Sequence, residues 1–311
     1  MNPYFPIRSS LLSAICGFLL IATPAVAQEP PPRDVAPGKP ELSVAASYLH
    51  QFHTDRGDGS DFGVDRYFLR LDKASRHSDS LFFGVGLQYE LADYSFDETV
   101  SGPVSAPWDT VHAVTLSTSA IYSPNETFKF FVAPSVGAAA ASGADWGDAL
   151  VYGGIFWSSY RVNDALTLGM GAGLFSKQDE FSAFPVILVD WKISDRLRLS
   201  NPRGGGPAGP AGLELAYRFD DGILLAAGGA YRSTRFRLDE DGPLPGGIGE
   251  DRAFPLWARI STPLSGGMAL NLHGGAMVGG RLTVEDDQGN TVQELDYDVA
   301  PFLSVTLSKN F

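Results

Sequence analysis

The chain has 311 residues, of which 44% are hydrophobic and 19% charged, and its formal net charge is −13. This acidic balance argues against bulk nucleic-acid binding, because such proteins neutralise phosphates with lysine and arginine. After residue 27, no stretch of the sequence approaches the roughly 20 apolar residues that a membrane-spanning helix needs, so membrane helices are excluded.

The first predicted element is a cleaved secretory signal peptide at 1–27. One basic residue precedes an apolar stretch at 11–22, and the small-residue triplet Ala25-Val-Ala27 follows it. The stretch is too short and too interrupted for a membrane anchor. Ile15 stands before Cys16, where a lipoprotein signal needs a small residue. Cleavage removes Cys16, the only cysteine, so no disulfide is expected in the mature chain.

A Pro-rich segment at 28–40 follows, and we predict that it is an extended periplasmic lead-in, because proline does not join the interior of a sheet. Residues 41–311 then form the predicted barrel domain. In the first strand, apolar residues recur at every second position from Leu42 to Tyr48. A period of two is typical of a strand with one apolar face. The same alternation recurs at 81–91, 128–136, 166–174 and 213–219.

The connections between these strands alternate in length, for example long at 96–109 and short at 123–126. In bacterial barrels the periplasmic turns are short and the outer loops are long. The alternation is complete only if 196–200 is counted as a strand. The sequence therefore predicts an all-β fold, an antiparallel transmembrane β-barrel of about 14 strands, or about 12 if 196–200 is only a loop edge. The segment 177–183 is predicted to be one of the long outer loops.

The last predicted strand carries apolar residues at alternate positions and ends on Phe311. This ending resembles the C-terminal signal of bacterial outer-membrane β-barrels, which implies that Phe311 is an assembly signal. Together with the signal peptide, it predicts export to the outer membrane of a Gram-negative bacterium. The expected partners are the outer-membrane lipid and the barrel-assembly machinery, with no nucleic acid.

Three passages, 190–202, 212–219 and 230–238, resemble a family of bacterial outer-membrane barrel proteins whose function is unknown. The resemblance lies in aromatic and Arg/Leu patterns such as Arg196-Leu-Arg-Leu and Ala216-Tyr-Arg. It implies a barrel and no known activity, and it supplies no site residues.

Charged residues at inward positions of the predicted strands form the candidate site. The residues predicted to line the lumen are Arg66, Arg70, Arg161, Lys192, Arg196, Arg198, Glu214, Arg218, Arg232, Arg259, His273 and Arg281. A basic interior would favour anionic solutes. The alternative is that these cations pair with inward carboxylates such as Asp72, Glu90 and Asp190 and brace or plug the barrel.

We predict no catalytic group, metal site or cofactor. His273 is the best catalytic candidate because it points inward, but no serine or aspartate partner motif accompanies it. The acidic segment 55–61 lacks the distant glutamate of a calcium loop, so we expect a solvated outer loop. The glycine run 204–206 lacks the strand-to-helix context and the lysine of a phosphate loop.

The predicted function is a narrow pore or passive transporter for small solutes, with anions among them. The alternative is a structural or surface-interaction barrel with an occluded lumen. A lipid-modifying barrel enzyme ranks last.

Overall fold

The computed structural model describes residues 40–57, 59–97, 106–178, 180–202 and 212–311. The predicted signal peptide, nearly all of the Pro-rich lead-in and the glycine run at 204–206 lie outside these ranges. Within them the chain is almost entirely β, and its one helix is a 3₁₀ turn at Ser265–Gly267. No helix in the described part of the chain is long and apolar enough to cross a membrane.

Sixteen strands are found in the described ranges. They are β1 (Pro40–Asp55), β2 (Asp61–Ser78), β3 (Leu81–Phe96), β4 (Thr110–Tyr122), β5 (Phe128–Ala141), β6 (Leu150–Arg161), β7 (Leu166–Lys177), β8 (Glu180–Lys192), β9 (Leu197–Ser200), β10 (Gly212–Arg218), β11 (Leu224–Ala230), β12 (Arg232–Arg237), β13 (Ile248–Pro263), β14 (Met268–Glu285), β15 (Thr291–Tyr297) and β16 (Ala300–Asn310).

Fourteen of these sixteen strands close into one antiparallel barrel. Strands β1 to β11 pair in sequence order, β11 pairs with β13, β13 with β14 and β14 with β16. The barrel closes where β16 pairs with β1, from Ser43 opposite Asn310 to Gln51 opposite Phe302. The other two strands, β12 and β15, pair with β13 and β14 outside this closed order. The predicted fold and the count of about 14 strands are confirmed.

Strand β9 decides between the two predicted strand counts. It is short, but it pairs with β8 through Asp190 opposite Ser200 and with β10 through Tyr217 opposite Leu197. It therefore belongs to the barrel wall, which gives the larger of the two counts.

Short turns lie at one end of the barrel, which we call the short-turn end. In these turns, asparagine side-chain oxygens accept hydrogen bonds from backbone N–H groups that follow them in the chain, as expected for Asx turns. The Asn125 side-chain oxygen accepts hydrogen bonds from the N–H groups of Thr127 and Phe128, both at 2.9 Å. Asn163 does the same for Ala165 at 2.9 Å. The opposite end, which we call the long-loop end, carries β12, β15 and the longer connections.

The expectation of a long loop at 177–183 is wrong. Strand β7 continues to Lys177, and β8 begins at Glu180, opposite it in the ladder. Gln178 adopts a left-handed conformation, with φ of 35°, which lets the chain reverse within a tight hairpin. Lys177, Glu180 and Ser182 of this segment belong to the strands.

The outer face of the barrel is apolar. Side chains at alternate positions point away from the interior and are about half exposed, among them Leu116, Val132, Phe156, Leu272 and Leu303. A continuous apolar surface of this kind is not tolerated in water. Apolar residues outside and polar residues inside are the pattern of a transmembrane barrel. Phe311 lies at the short-turn end, where its N–H donates to the carbonyl of Leu42 at 2.9 Å.

Strand β12 crosses the interior of the barrel. It continues β11 after an interruption at Tyr231 and pairs along β13, from Arg232 opposite Ala253 to Arg237 opposite Ile248. Arg237 also forms a parallel bridge with Ala140 of β5. In the closed strand order, β5 lies on the opposite side of the barrel from β13. We call β12 the cap, because it spans the barrel at the long-loop end.

Candidate functional site

A cavity of about 920 Å³ occupies the short-turn half of the barrel. Its wall is formed mainly by β1, β2, β7 to β10, β13, β14 and β16. Uncharged polar side chains contribute much of the lining because small hydroxyl and amide residues occupy inward positions of these strands. They include Ser43, Thr167, Ser261, Asn271, Thr306, Ser308 and Asn310. The cavity is therefore a polar space within an apolar shell.

Most of the charged residues predicted to line the lumen meet in this cavity. Those that line it are Arg70, Lys192, Arg196, Arg198, Glu214, Arg218, Arg259 and His273. Arg66 and Arg232 lie inside the barrel nearer the long-loop end and are buried. Arg161 lies at the short-turn end of β6, 3.9 Å from the Glu126 carboxylate.

Arg281 lies on the side of β14 that faces away from the interior. It donates hydrogen bonds to Glu294 and Asp296, whose side chains are partly and largely exposed. The cause is a bulge around Gly279 (φ of 59°), where β14 carries one residue more than β13. An inserted residue moves the following side chains to the other face. Beyond the bulge, Leu282 therefore joins the interior core instead of Arg281.

Carboxylates pair with most of the cations of the cavity. The pairs are Arg70 with Asp72, Arg198 with Asp190, Arg259 with Glu214, Arg196 with Asp220 and Lys192 with Asp195. The Arg198 pair is bidentate, with Nε and Nη2 each 2.6 Å from an Asp190 oxygen. Fork-shaped contacts of this kind hold both side chains in place. They match the bracing role that the sequence left open.

One of these pairs joins the last residue of β8 to the turn that follows it. The Lys192 ammonium group is 2.7 Å from Asp195, and its hydrogen bond lowers the pKa of this carboxyl group below the ordinary value. The contact is exposed and screened by water, so it adds little to the stability of the barrel.

His273 is buried on β14 between Arg259 and Ser304 in the ladder. Among the described residues, no serine hydroxyl or carboxylate forms a hydrogen bond with it, and its Nδ1 atom is unpaired. The nearby Glu214 carboxylate accepts hydrogen bonds from Arg259 and from the Trp257 indole N–H instead. The arrangement lacks the nucleophile and base contact that acyl-transfer chemistry needs.

A buried charge network closes the cavity toward the long-loop end. Asp251 on β13 is fully buried and accepts hydrogen bonds from four side chains. Arg66 Nη2 donates at 2.5 Å and Arg232 Nη1 at 3.2 Å. The hydroxyls of Tyr94 and Tyr297 donate at 2.9 and 3.2 Å. The network ties the cap, through Arg232, to three strands of the wall and to β15.

Glu90 is the second carboxylate of this network. Its Oε1 atom lies 3.5 Å from Arg66 Nη1 and 3.4 Å from Arg232 Nη2. Two guanidinium groups are thus balanced by two carboxylates. Buried charges are strongly unfavourable unless they are paired and hydrogen bonded. Because this balance is complete, loss of one member leaves the others uncompensated.

Apolar packing completes the closure. Phe236 of the cap is fully buried, and its ring meets the Trp108 ring edge to face, with centroids 4.9 Å apart. Phe62, Tyr94 and Tyr297 belong to the same core. The long-loop half of the barrel is therefore packed like the interior of a soluble domain.

The β4 to β8 side of the interior is also filled. Phe131 stacks on Trp157 with centroids 4.9 Å apart, and Phe175 stacks on Phe184 at 5.9 Å. The rings can lie flat on the wall because small residues lie beneath them: a Cβ atom on Gly173 would come within 2.2 Å of the Phe184 ring. This part of the interior is packed and apolar, and the cavity lies beside it, lined mainly by the other strands and by the short-turn ends of β7 and β8.

The sequence did not point to Asp251, Tyr94, Tyr297 or Phe236, which make the closure. The inward cations and carboxylates were identified by alternation, and this pattern does not separate these aromatics from ordinary strand residues. One signal was present. Arg232, Arg235 and Arg237 follow an apolar strand within six residues of sequence, and so many guanidinium groups do not face lipid.

The fold is similar to that of a solved outer-membrane channel. A crystal structure of an outer membrane channel from Pseudomonas putida F1 is similar over 91% of this chain and 100% of that chain, with a TM-score of 0.51 and 14% identity. A FadL homologue from Pseudomonas aeruginosa matches over 88% of this chain and 89% of its own, with a TM-score of 0.47 and 12% identity. At these identities the likeness concerns the fold alone.

No family model and no curated protein sequence matches the chain. Its membership of the uncharacterised barrel family that three of its passages resemble therefore stays a prediction.

Proposed function

We propose that the protein is a passive channel of the bacterial outer membrane that carries small polar solutes, anions among them. The barrel in the structure is the closed state of this channel. The observation that carries the proposal is the nature of the obstruction. The polar cavity ends at the cap and its charge network, and the cap is a strand that leaves the barrel wall rather than a part of the closed ring.

The proposed orientation follows from the two ends of the barrel. Short turns face the periplasm in bacterial barrels and long loops face outward. The cavity then opens toward the periplasm, and the cap closes the outer side. The apolar outer face contacts the outer-membrane lipid, and Phe311 in the final strand remains the proposed signal for the assembly machinery.

The second candidate is a structural barrel that never opens. The satisfied hydrogen bonds of Asp251 and the packed ring of Phe236 favour it, because a lumen filled in this way can brace a wall. The two candidates differ in whether the cap moves.

Conductance in planar bilayers distinguishes them. For the full-length refolded protein we expect small, salt-dependent current steps separated by long closed periods, because conduction requires the cap to leave the interior. A barrel that inserts and stays silent, even when the cap is destabilised by substitution, would instead be structural. Heat-dependent electrophoretic mobility verifies that each preparation contains a folded barrel.

A further inference from the structure

Four cationic residues gather at the short-turn end of the cavity, on β8, β9 and β10 and in the turn that precedes β9. Lys192 on β8 lies opposite Arg198 on β9. The Arg218 N–H on β10 donates to the carbonyl of Arg196 at 2.8 Å, which places these two residues side by side. All four residues line the cavity.

Arg218 differs from the other three cations. Lys192, Arg196 and Arg198 each have a carboxylate partner. The side chain of Arg218 is exposed to the cavity, and among the described residues no carboxylate lies within ion-pair distance of it. The cluster thus contains four cations but only three carboxylate partners.

An unpaired cation beside another cation is unfavourable in a sheet, since like charges on neighbouring strands repel. An anion between the strands would remove this repulsion. The guanidinium group suits that role because its planar fork of N–H groups fits two oxygens of a carboxylate or a phosphate. The position at the mouth of a cavity lets a solute reach it from water.

We propose that Arg218, flanked by Arg196 and Arg198, forms an oxyanion-binding site at the periplasmic mouth of the cavity, which takes a carboxylate or phosphate group of a solute. This inference rests on the proposed channel function for its role in transport. Binding itself does not require the channel to open, because the site lies on the open side of the cap.

Substitution of the neighbouring Asp190 carboxylate is expected to strengthen anion binding, whereas substitution of Arg218 weakens it. Asp190 holds Arg198 in the bidentate pair, so the Asp190→Asn variant removes a negative charge close to the proposed site. Anion affinity is then expected to rise, whereas Arg218→Gln lowers it. Arg161→Gln is the matched control, because Arg161 lies at the same end of the barrel outside the cavity.

Calorimetric titration of the refolded full-length barrel with inorganic phosphate, and separately with acetate, tests the site. Relative to wild type, we expect the dissociation constant to rise about fivefold or more in Arg218→Gln, the size of effect that one charge-assisted contact gives. It should fall in Asp190→Asn and stay unchanged in Arg161→Gln. Preference for one titrant identifies which oxyanion the site favours.

The proposed site would be overturned if Arg218→Gln bound phosphate and acetate as tightly as wild type does. It would also be overturned if Arg161→Gln lost as much affinity as Arg218→Gln. Failure of the channel proposal looks different: the barrel would carry no current in bilayers while anion binding kept its dependence on Arg218. A conducting barrel without such binding would keep the channel and remove the site.

Discussion

The Asp251→Asn variant is expected to conduct far more current than wild type. The substitution keeps the shape of the side chain but removes the charge that holds Arg66 and Arg232. Breaking a buried ion pair by removing one partner costs about 3–5 kcal/mol, because the remaining charge is left uncompensated. Glu90 alone then faces two guanidinium groups.

The cap carries Arg232, so this loss destabilises the closed position more than it destabilises the barrel wall. A change of about 3 kcal/mol shifts the equilibrium between closed and open cap by about two orders of magnitude. The open probability in planar bilayers measures this shift directly. We expect long-lived openings in the variant under conditions where wild type is mostly closed.

The matched control is Glu294→Gln. It makes the same chemical change in the ion pair with Arg281, which is partly exposed and lies outside the barrel interior. Exposed pairs contribute about 1 kcal/mol or less, so conductance and folding should stay at the wild-type level. A folded Asp251→Asn barrel with the same open probability as wild type would show that the charge network does not hold the cap in its closed position.

The Phe236→Ala variant is expected to open the channel by a different physical route. The ring is fully buried against Trp108, and removing it leaves a cavity in the cap. Replacing a buried phenylalanine by alanine costs about 3–5 kcal/mol. Because no charge changes, an increase in open probability here cannot come from an altered field in the lumen.

Phe156→Ala is the control for this packing argument. It deletes the same ring from the outer face of the barrel, where Phe156 is about half exposed. We expect its open probability to match wild type, although the variant loses some contact with lipid. Similar opening in both variants would mean that any loss of apolar volume loosens the barrel, and the cap would have no special role.

Local alternation was enough to predict the barrel wall. Arg70, Arg198 and Arg259 were placed in the lumen by counting every second residue, and all three line the cavity. The same count misplaced Arg281, because the bulge around Gly279 changes which residues face inward. A bulge of this kind has no reliable signature in one sequence.

A plugged lumen was one alternative from the sequence, but the contacts that close it were beyond what a sequence pattern can indicate. The cap depends on a bridge between Arg237 and Ala140, which come from opposite sides of the barrel. Asp251 receives hydrogen bonds from Arg66 and Tyr94, which are 185 and 157 residues away along the chain. Periodicity describes neighbours along a strand, and it carries no information about such distant partners.

The central claim is that the cap closes the lumen at the long-loop end. Thiol accessibility from the two sides of the membrane tests it most directly. Cys16 is the only cysteine of the chain, so a single reactive thiol can be placed at Ser308→Cys, in the cavity wall on β16, in a protein that also carries Cys16→Ser. A membrane-impermeant maleimide should label this thiol rapidly from the short-turn side and slowly from the long-loop side. Adding Asp251→Asn should remove the difference. Equal labelling rates from both sides, in the barrel that keeps Asp251, would contradict a lumen that is open at the short-turn end and closed by the cap at the long-loop end.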